Sequence, residues 1–290
     1  MLDILTDSVL DCVKLLPFLF LSYLAVEYIE HKMSRRTKIM IYRAGKAGPV
    51  IGSILGVIPQ CGFAAAAAGL YAGGIVSPGT LLAVFLSSSD EMLPIMVSEG
   101  IHVGMISKIL ILKMVIGMAA GLVLDVIAGR FGWGLHREEE AAEFCEHGHC
   151  HCGQSGIWKG ALHHTVQITG FLFLITLVLG FFMERVEVQS FSQLLGGIPV
   201  LEEALAGLVG MIPNCAASVL VTQLYLQGFI GAGSLFSGLL CSAGAGLLVL
   251  YRANSSRWKE NLLFTAVLYV TGVVGGLLIG CSGMAFYAVL

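Results

Sequence analysis

Long apolar stretches separated by short polar ones set the pattern of this chain. A helix of about 20 apolar residues can cross the hydrocarbon core of a bilayer, which is about 30 Å thick. The pattern therefore predicts an all-α polytopic membrane protein. Gly79 and Pro94 are expected to break one of its spans. The predicted spans are residues 9–29, 78–98, 106–127, 161–183, 234–250 and 262–281.

Two further apolar stretches, 48–77 and 200–231, do not fit a single span. Thirty helical residues would be about 45 Å long, which is too long for one crossing and too short for two. Pro59 interrupts the first stretch near its middle, and proline breaks a helix because it lacks the amide proton. We expect each stretch to form a re-entrant hairpin of two half-helices. Counting each arm as one helix, the chain has about ten helical segments.

The two halves of the chain carry the same phrase, at 56–61 and at 210–215, separated by 154 positions. The same offset places Gly74 on Gly228. We interpret this as an internal duplication. It divides the chain into a first membrane repeat, 1–129, a linker, 130–160, and a second membrane repeat, 161–290.

The distribution of basic residues predicts the topology. The polar segments 32–46 and 252–259 are rich in Lys and Arg, whereas 184–199 has almost none. Because basic loops remain in the cytoplasm, the first hairpin enters from the cytoplasm and the second from outside. The repeats would then be inverted, as in many secondary transporters. If both hairpins were instead single broken spans, the repeats would be parallel and the 130–160 linker would lie outside.

Composition narrows the class of protein. Of the 290 residues, 57% are hydrophobic and only 12% are charged, about half the charge of a soluble domain. The N-terminus lacks the basic region of a secretory signal and is read as a retained span. We expect a multi-pass protein of the cell (inner) membrane, surrounded by lipid and without a nucleic-acid partner. A homo-oligomer remains possible. No nucleophile–base pair suggests an enzyme, and no cofactor is required.

The repeated phrase is the first candidate site. A helix break exposes carbonyl oxygens at one end and amide protons at the other, so it suits a cation or an anion respectively. Amide oxygens and thiolates can both ligate a metal. The alternative is that the breaks only shape the fold. The side chains at the two breaks are Gln60, Cys61, Asn214 and Cys215.

The second candidate is a run of serines and acids inside a predicted span. A carboxylate in a span costs about 2.5–3.5 kcal/mol on insertion scales and usually marks an ion path. Asp90 corresponds to Gly244 in the second repeat, so this acid is unique to the first. Alternatively, the acids are solvated near the outer interface. The candidate residues and their repeat partners are Ser87, Ser88, Asp90, Glu91, Cys241 and Ser242.

Three glutamates near the ends of spans, Glu27, Glu30 and Glu184, are candidates for proton coupling, although they could simply be interfacial. Glu30 and Glu184 are related by the repeat offset. Lys113 lies deep enough in its predicted span to pair with a carboxylate.

The linker predicts a metal-binding loop in the cytoplasm. Thiol and imidazole groups alternate there closely enough for a flexible chelate, but without the spacing of a zinc finger. Delivery, buffering or sensing of a metal suits this loop better than transport, because it lies outside the membrane. Its ligand candidates are Cys145, His147, His149, Cys150, His151 and Cys152.

Several motifs together resemble a bacterial family. They are the Ile-Pro-x-Cys break, the Leu-Tyr-x-x-Gly motif at 70–74, the Leu-Ser-Ser-Ser-Asp-Glu stretch at 86–91, and the opening 16–19 and 27–31. The family is that of the ten-helix heavy-metal exporters related to the arsenical permeases, some members of which are labelled manganese transporters. The resemblance covers nearly the whole chain. The arsenical permeases proper carry more than one closely spaced Cys at the break, whereas Cys61 is followed by Gly62 and Phe63.

Taken together, these patterns favour a secondary transporter that exports a transition-metal cation by alternating access, driven by proton exchange. Oxygen ligands would favour Mn²⁺, and added Cys and His would favour Zn²⁺ or softer ions. One alternative is a permease for arsenicals or other small thiophilic anions, in which Cys61 and Cys215 capture the substrate. Another is a membrane metal sensor without transport. The transition-metal ion is a substrate in the first hypothesis, not a cofactor.

Overall fold

A computed structural model describes residues 47–58, 61–89, 92–131, 199–213 and 215–282, together with single helical positions between 9 and 24 and between 158 and 174. Every regular element in these ranges is a helix, as the apolar pattern predicts. Within the described range from 47 to 131 the helices are α1 (Gly48–Gly56), α2 (Cys61–Ala72), α3 (Pro78–Ser87), α4 (Met92–Ser98) and α5 (Val103–Phe131).

The second repeat has the same order of helices. They are α6 (Pro199–Gly210), α7 (Cys215–Leu226), α8 (Ala232–Cys241), α9 (Ala245–Ala253) and α10 (Trp258–Cys281), with a 3-10 turn at Ser255–Arg257 before α10. The offset of 154 superposes α2 on α7 and α3 on α8 residue for residue. The breaks predicted between the arms of each long stretch are confirmed, because a helix ends at Gly56 and at Gly210 and the next begins at Cys61 and at Cys215.

The turns that follow α2 and α7 repeat the same hydrogen bonds. In the first, the N–H of Ile75 donates to Leu70 at 2.9 Å and that of Gly74 to Tyr71 at 3.0 Å. The second has the same pair of bonds and distances, from Phe229 to Leu224 and from Gly228 to Tyr225. This is the Schellman motif, which needs a positive φ that glycine adopts freely. Gly74 and Gly228 have φ of 71° and 78°.

Two predicted spans differ from the structure. The segment 78–98 is not broken at Gly79, which is the second residue of α3, nor at Pro94, which lies in the first turn of α4. Its interruption lies between Ser87 and Met92. The predicted span 234–250 lies within Ala232–Ala253, which is long and apolar enough to cross a membrane, but this segment is interrupted between α8 and α9. Each repeat therefore has a second break, in a place where no proline marks it.

Glycines bring the helices of each repeat into close contact. A Cβ at Gly79 would overlap the Gly121 carbonyl, and one at Gly210 would overlap the Gly238 carbonyl. These pairs lie between α3 and α5 and between α6 and α8. Small residues at such crossings let helix backbones approach, which is how helices associate where lipid removes the hydrophobic driving force.

Three helical segments in the described part of the chain are long and apolar enough to cross a membrane: Val103–Arg130, Ala232–Ala253 and Ser255–Cys281. In the apolar windows of the first and third, 28% and 33% of residues are buried, against 89% in the second. Helices α8 and α9 therefore form the interior, and α5 and α10 lie at its outside. The length and composition of these segments indicate a membrane protein.

The two repeats pack through reciprocal contacts. Helix α2 of the first repeat contacts α9 of the second, and α7 of the second contacts α4 of the first. Helices α3 and α8 also contact each other. The helices that the offset of 154 relates therefore contact each other's equivalents, α2 with α9 and α7 with α4. The interface between the two halves is thus built from helices that flank the breaks and from α10, whose Phe264 ring packs against Tyr71 and Phe85.

Candidate functional site

The proline breaks end their helices in the same way. The N–H of Ile58 donates to Leu55 at 3.1 Å, and that of Ile212 donates to Val209 at 3.0 Å. Each bond spans three residues, so both helices tighten into a 3-10 turn before the break. Cys61 and Cys215 are the first residues of α2 and α7. Their side chains lie outside the described residues, as do Gln60 and Asn214.

The second breaks follow α3 and α8. Ser88 caps the C-terminus of α3, and its N–H donates to Val84 at 3.0 Å. Ser242 caps α8 in the equivalent position, with an extended backbone and a partly buried side chain. Gly244 follows with φ 50° and ψ −139°. That conformation strains any residue with a side chain, so the glycine that stands opposite Asp90 in the repeat is required by the backbone there.

Lys113 of α5 links these two breaks. Its side chain is fully buried. Its Nζ donates to the Ser88 carbonyl and, at 2.9 Å, to the carbonyl of Leu239 in the last turn of α8. One ammonium therefore contacts the carbonyl end of a helix in each repeat. We call this contact the Lys113 junction.

The serines beside the Lys113 junction are buried, but they bond to nearby backbone. Ser87 Oγ donates to the carbonyl of Ala83 at 2.7 Å, and Ser89 Oγ donates to that of Ser87 at 3.1 Å. Buried hydroxyls are usually satisfied in this way. If either hydroxyl bound an ion, its oxygen would do so through the lone pairs that these hydrogen bonds leave unused.

Cys241, the repeat partner of Ser87, faces α10 and α6. Its Sγ lies 3.7 Å from the Tyr269 carbonyl. A Cβ at Gly272 would overlap this sulfur, and a Cβ at Gly207 would lie 3.3 Å from it. The thiol therefore fills a slot between glycines of two helices.

The N-terminal ends of α2 and α9 come together beside the Lys113 junction. Gly246, the second residue of α9, packs so tightly that an added Cβ would lie 2.9 Å from both the Ala64 backbone and the Phe85 ring. Ala64 is in the first turn of α2, three residues after Cys61. The two helices thus pack against each other close to their N-terminal ends, where the helix dipole carries partial positive charge.

The remaining predicted site residues lie outside the described part of the chain. No group of three His, Cys, Asp or Glu side chains that could hold a metal is found within the described ranges. Because most of the predicted metal ligands lie outside these ranges, their role in binding a metal stays a prediction. The residues outside are Asp90, Glu91, Glu27, Glu30, Glu184, Cys145, His147, His149, Cys150, His151 and Cys152.

Sequence reasoning did not select three acids that the structure places at contacts between helices. Asp125 and Glu202 bind the N-termini of α3 and α8. Glu203 is 6% exposed, and its Oε2 has no hydrogen-bond partner among the described residues. An acid inside an apolar stretch was the available signal for Asp125. The two glutamates lie near the start of a predicted hairpin, where acids are common, so they carried no such signal.

Comparisons with protein families, with curated proteins and with solved structures find no match to this chain.

Proposed function

We propose that this chain is a secondary transporter that exports a transition-metal cation, such as Mn²⁺ or Zn²⁺, by alternating access and in exchange for protons. The observation that carries the proposal is that helices interrupted at four places pack together where the two halves of the chain meet. Broken helices expose backbone carbonyls and amides at membrane depth, which is tolerated where they line a cavity or are buried in protein.

In the proposed transporter the repeats are inverted across the membrane and together contribute about ten helical segments. The basic segments 32–46 and 252–259 support this orientation, because both would then lie in the cytoplasm. The cation would bind near the breaks, where Asp90 and Glu91 follow Ser88 in the sequence. Glu203, buried and lacking a partner on one oxygen among the described residues, joins Glu27, Glu30 and Glu184 as a candidate proton carrier.

One observation favours a second candidate function, a permease for arsenicals or other small thiophilic anions. The amide ends of α2 and α9 meet near the start of α2, and Cys61 opens that helix. A helix N-terminus attracts anions, and a thiolate captures soft elements. The two hypotheses differ in which side chains the substrate needs.

A panel of metals and metalloids tests the proposal directly. Cells lacking this protein, and the same cells with the gene restored, are exposed to Mn²⁺, Zn²⁺, Cu²⁺, arsenite and antimonite, and their content of each element is measured. We expect the deletion strain to accumulate one transition metal and the restored strain to lose it. Accumulation of arsenite or antimonite alone would favour the permease. No difference for any element would reject both transport hypotheses.

A further inference from the structure

Two adjacent acids near the start of α6 have different surroundings. Glu202 is partly buried, and its Oε1 accepts hydrogen bonds from the Gly231 N–H at 2.9 Å and from Ser234 Oγ at 2.8 Å. Glu203 is buried, and its Oε2 has no hydrogen-bond partner among the described residues. The first carboxylate therefore binds the N-terminus of α8, whereas the second is enclosed with one oxygen unpaired.

The first half of the chain shows that one acid is enough at this kind of helix start. Gly79 and Gly233 are related by the offset of 154 and are the second residues of α3 and α8. A Cβ on either would overlap a carboxylate oxygen, that of Asp125 in the first case and that of Glu203 in the second. Asp125 uses both oxygens as acceptors. In the second half Glu202 already binds the start of α8, so Glu203 is an additional acid at this place.

Glu203 lies between two helix ends of opposite polarity. Its Oε1 would overlap a Cβ added to Gly233, in the first turn of α8, and would lie 3.1 Å from one added to Gly280, in the last turn of α10. The C-terminal end of a helix carries partial negative charge, so α10 disfavours a carboxylate here. The partial positive charge at the start of α8 is already opposed by Glu202. A second negative charge therefore gains little from the helix dipoles.

The helices that enclose Glu203 supply no positive charge to it. Helices α6 and α8 contain no Lys, Arg or His, and the one basic residue of α10, Lys259, lies at the opposite end of that helix from Gly280. A buried carboxylate without a positive partner is costly, and such a group binds a proton instead. The other titratable side chains of these three helices are acids, thiols or phenols: Glu202, Cys241, Glu260, Tyr269 and Cys281.

We infer that the two adjacent acids have separate roles: Glu202 stays ionised and binds the N-terminus of α8, and Glu203 holds a proton that allows α6 to pack against α8 and α10. Loss of this proton leaves an unpaired negative charge between the helices, so α6 moves away from α8 and α10 until water reaches the carboxylate. As a step of proton exchange the site rests on the proposed transport function. As a proton site it rests only on the packing of the three helices.

Glutamine at each of the two positions gives a matched pair of variants. Glutamine is a neutral analogue of a protonated glutamic acid, and the two positions are adjacent in one helix. In the purified full-length protein in detergent at neutral pH, Glu203→Gln should melt within about 1 °C of the wild type, and Glu202→Gln about 2–5 °C below it, because only the second change removes charge-assisted hydrogen bonds. A Glu203→Gln protein that does not fold, or that is no more stable than Glu202→Gln, would overturn the inference.

The dependence of stability on pH reports the proton itself. Stability that comes from a bound proton is present at low pH and is lost as the pH rises. From about pH 6 to about pH 9 the melting temperature of the wild type should fall by about 3–6 °C more than that of Glu203→Gln. Glu202→Gln is the control, and it should keep the pH dependence of the wild type. Parallel curves for the wild type and Glu203→Gln would show that no proton on Glu203 supports the packing.

Cys241 reports on the separation of the helices, because its sulfur lies in the slot between Gly207 of α6 and Gly272 of α10. Alkylation by iodoacetamide is measured in proteins that retain only this cysteine, with Glu203 present or replaced by glutamine. The ratio of the two rates removes the pH dependence of the thiol, and it should rise about fivefold or more from about pH 6 to about pH 9 in favour of Glu203. A constant ratio would mean that the proton does not control the packing of α6.

These measurements do not involve transport, so the two proposals can fail separately. A protein that exports no metal but shows the expected difference between Glu202→Gln and Glu203→Gln would retain the proton site and lose the proposed function. A metal exporter in which Glu203→Gln changes neither the pH dependence of stability nor the alkylation of Cys241 would retain the function and lose the proton site.

Discussion

The carboxylate of Asp125 in α5 accepts a hydrogen bond of 2.8 Å from the backbone N–H of Gly79, the second residue of α3. Its other oxygen accepts from Ser77 Oγ at 2.7 Å. In the second repeat the N-terminus of α8 is bound differently, by Glu202 of α6, which accepts from the Gly231 N–H at 2.9 Å. The N-termini of α3 and α8 are thus both bound by a carboxylate, but Asp125 lies in α5 whereas Glu202 lies in α6.

Replacing Asp125 by alanine should destabilise the first repeat. The N-terminus of α3 would lose a charge-assisted cap, which costs about 0.5–2 kcal/mol. Asp125→Asn keeps an oxygen for Gly79 and an N–H for Ser77, so it should retain most of the stability. Thermal unfolding in detergent checks this order. An alanine variant as stable as the asparagine variant would contradict the assigned role.

Adding one methyl group at Gly210 should be far more harmful than adding one at an open glycine. A Cβ there overlaps the Gly238 carbonyl, so α6 and α8 must separate, at a cost of about 1–3 kcal/mol or more. Gly129→Ala is the matched control, because nothing lies within 4 Å of its added Cβ. Yield of folded protein and melting temperature are compared for both. Equal effects would mean that the close crossing of α6 and α8 is not formed.

The cysteines should differ in their access to thiol reagents. Cys241 is fully buried, whereas Cys281, at the end of α10, is exposed. In variants that retain only one of these cysteines, maleimide should label Cys241 about tenfold or more slowly than Cys281. Unfolding in SDS should remove the difference, which serves as the control. Rapid labelling of Cys241 in the folded protein would show that its slot between Gly207 and Gly272 is open.

Substitutions in the breaks distinguish the two transport hypotheses. For a cation exporter, Asp90→Asn should abolish export of the metal, because the substituted amide lacks the charge that the cation needs. The double change Cys61→Ser and Cys215→Ser should then leave substantial export. A permease for thiophilic anions predicts the opposite order of damage. Efflux from loaded cells, normalised to protein in the membrane, measures both variants under the same conditions.

Removal of the Cys/His loop distinguishes transport from sensing. Replacing 145–152 by glycine and serine at equal length keeps the connection between the repeats but removes all the thiols and imidazoles. An exporter should retain partial efflux, since the loop is expected to lie outside the membrane path. A sensor should lose its response to metal completely. A second replacement that restores only Glu146 controls for the loss of negative charge.

Much of the fold could be predicted from the sequence because the relevant signals are local. Pro59 and Pro213 lack an amide proton, and helices end before both of them. The offset of 154 relates Gly74 to Gly228, and the structure has the same Schellman bonds at both. The long apolar segments 106–127 and 262–281 correspond to α5 and α10. In each case the cause lies within a few residues of its effect.

The second pair of breaks could not be placed in the same way. Gly79 and Pro94 are residue types that commonly interrupt helices. Gly79 instead allows the backbone of α3 to lie close to Gly121 of α5. Pro94 lies in the first turn of α4, where proline is tolerated. The interruption after Ser87 instead exposes the Ser88 carbonyl to Lys113. Lys113, which donates to this carbonyl, lies 25 positions after Ser88 in the sequence and belongs to another helix, α5.

The sequence alone therefore determined that the chain is helical and apolar, that one phrase recurs after 154 positions, and that each half is interrupted at a proline. These features depend on residues that are close together in the chain. Only the tertiary structure decided that Lys113 joins the carbonyl ends of α3 and α8 and that Asp125 and Glu202 cap helices. Those roles arise when residues distant in the chain meet at the interface of the helices. The hydrogen-bond partners of a buried charge are therefore set by which groups the tertiary packing places beside it.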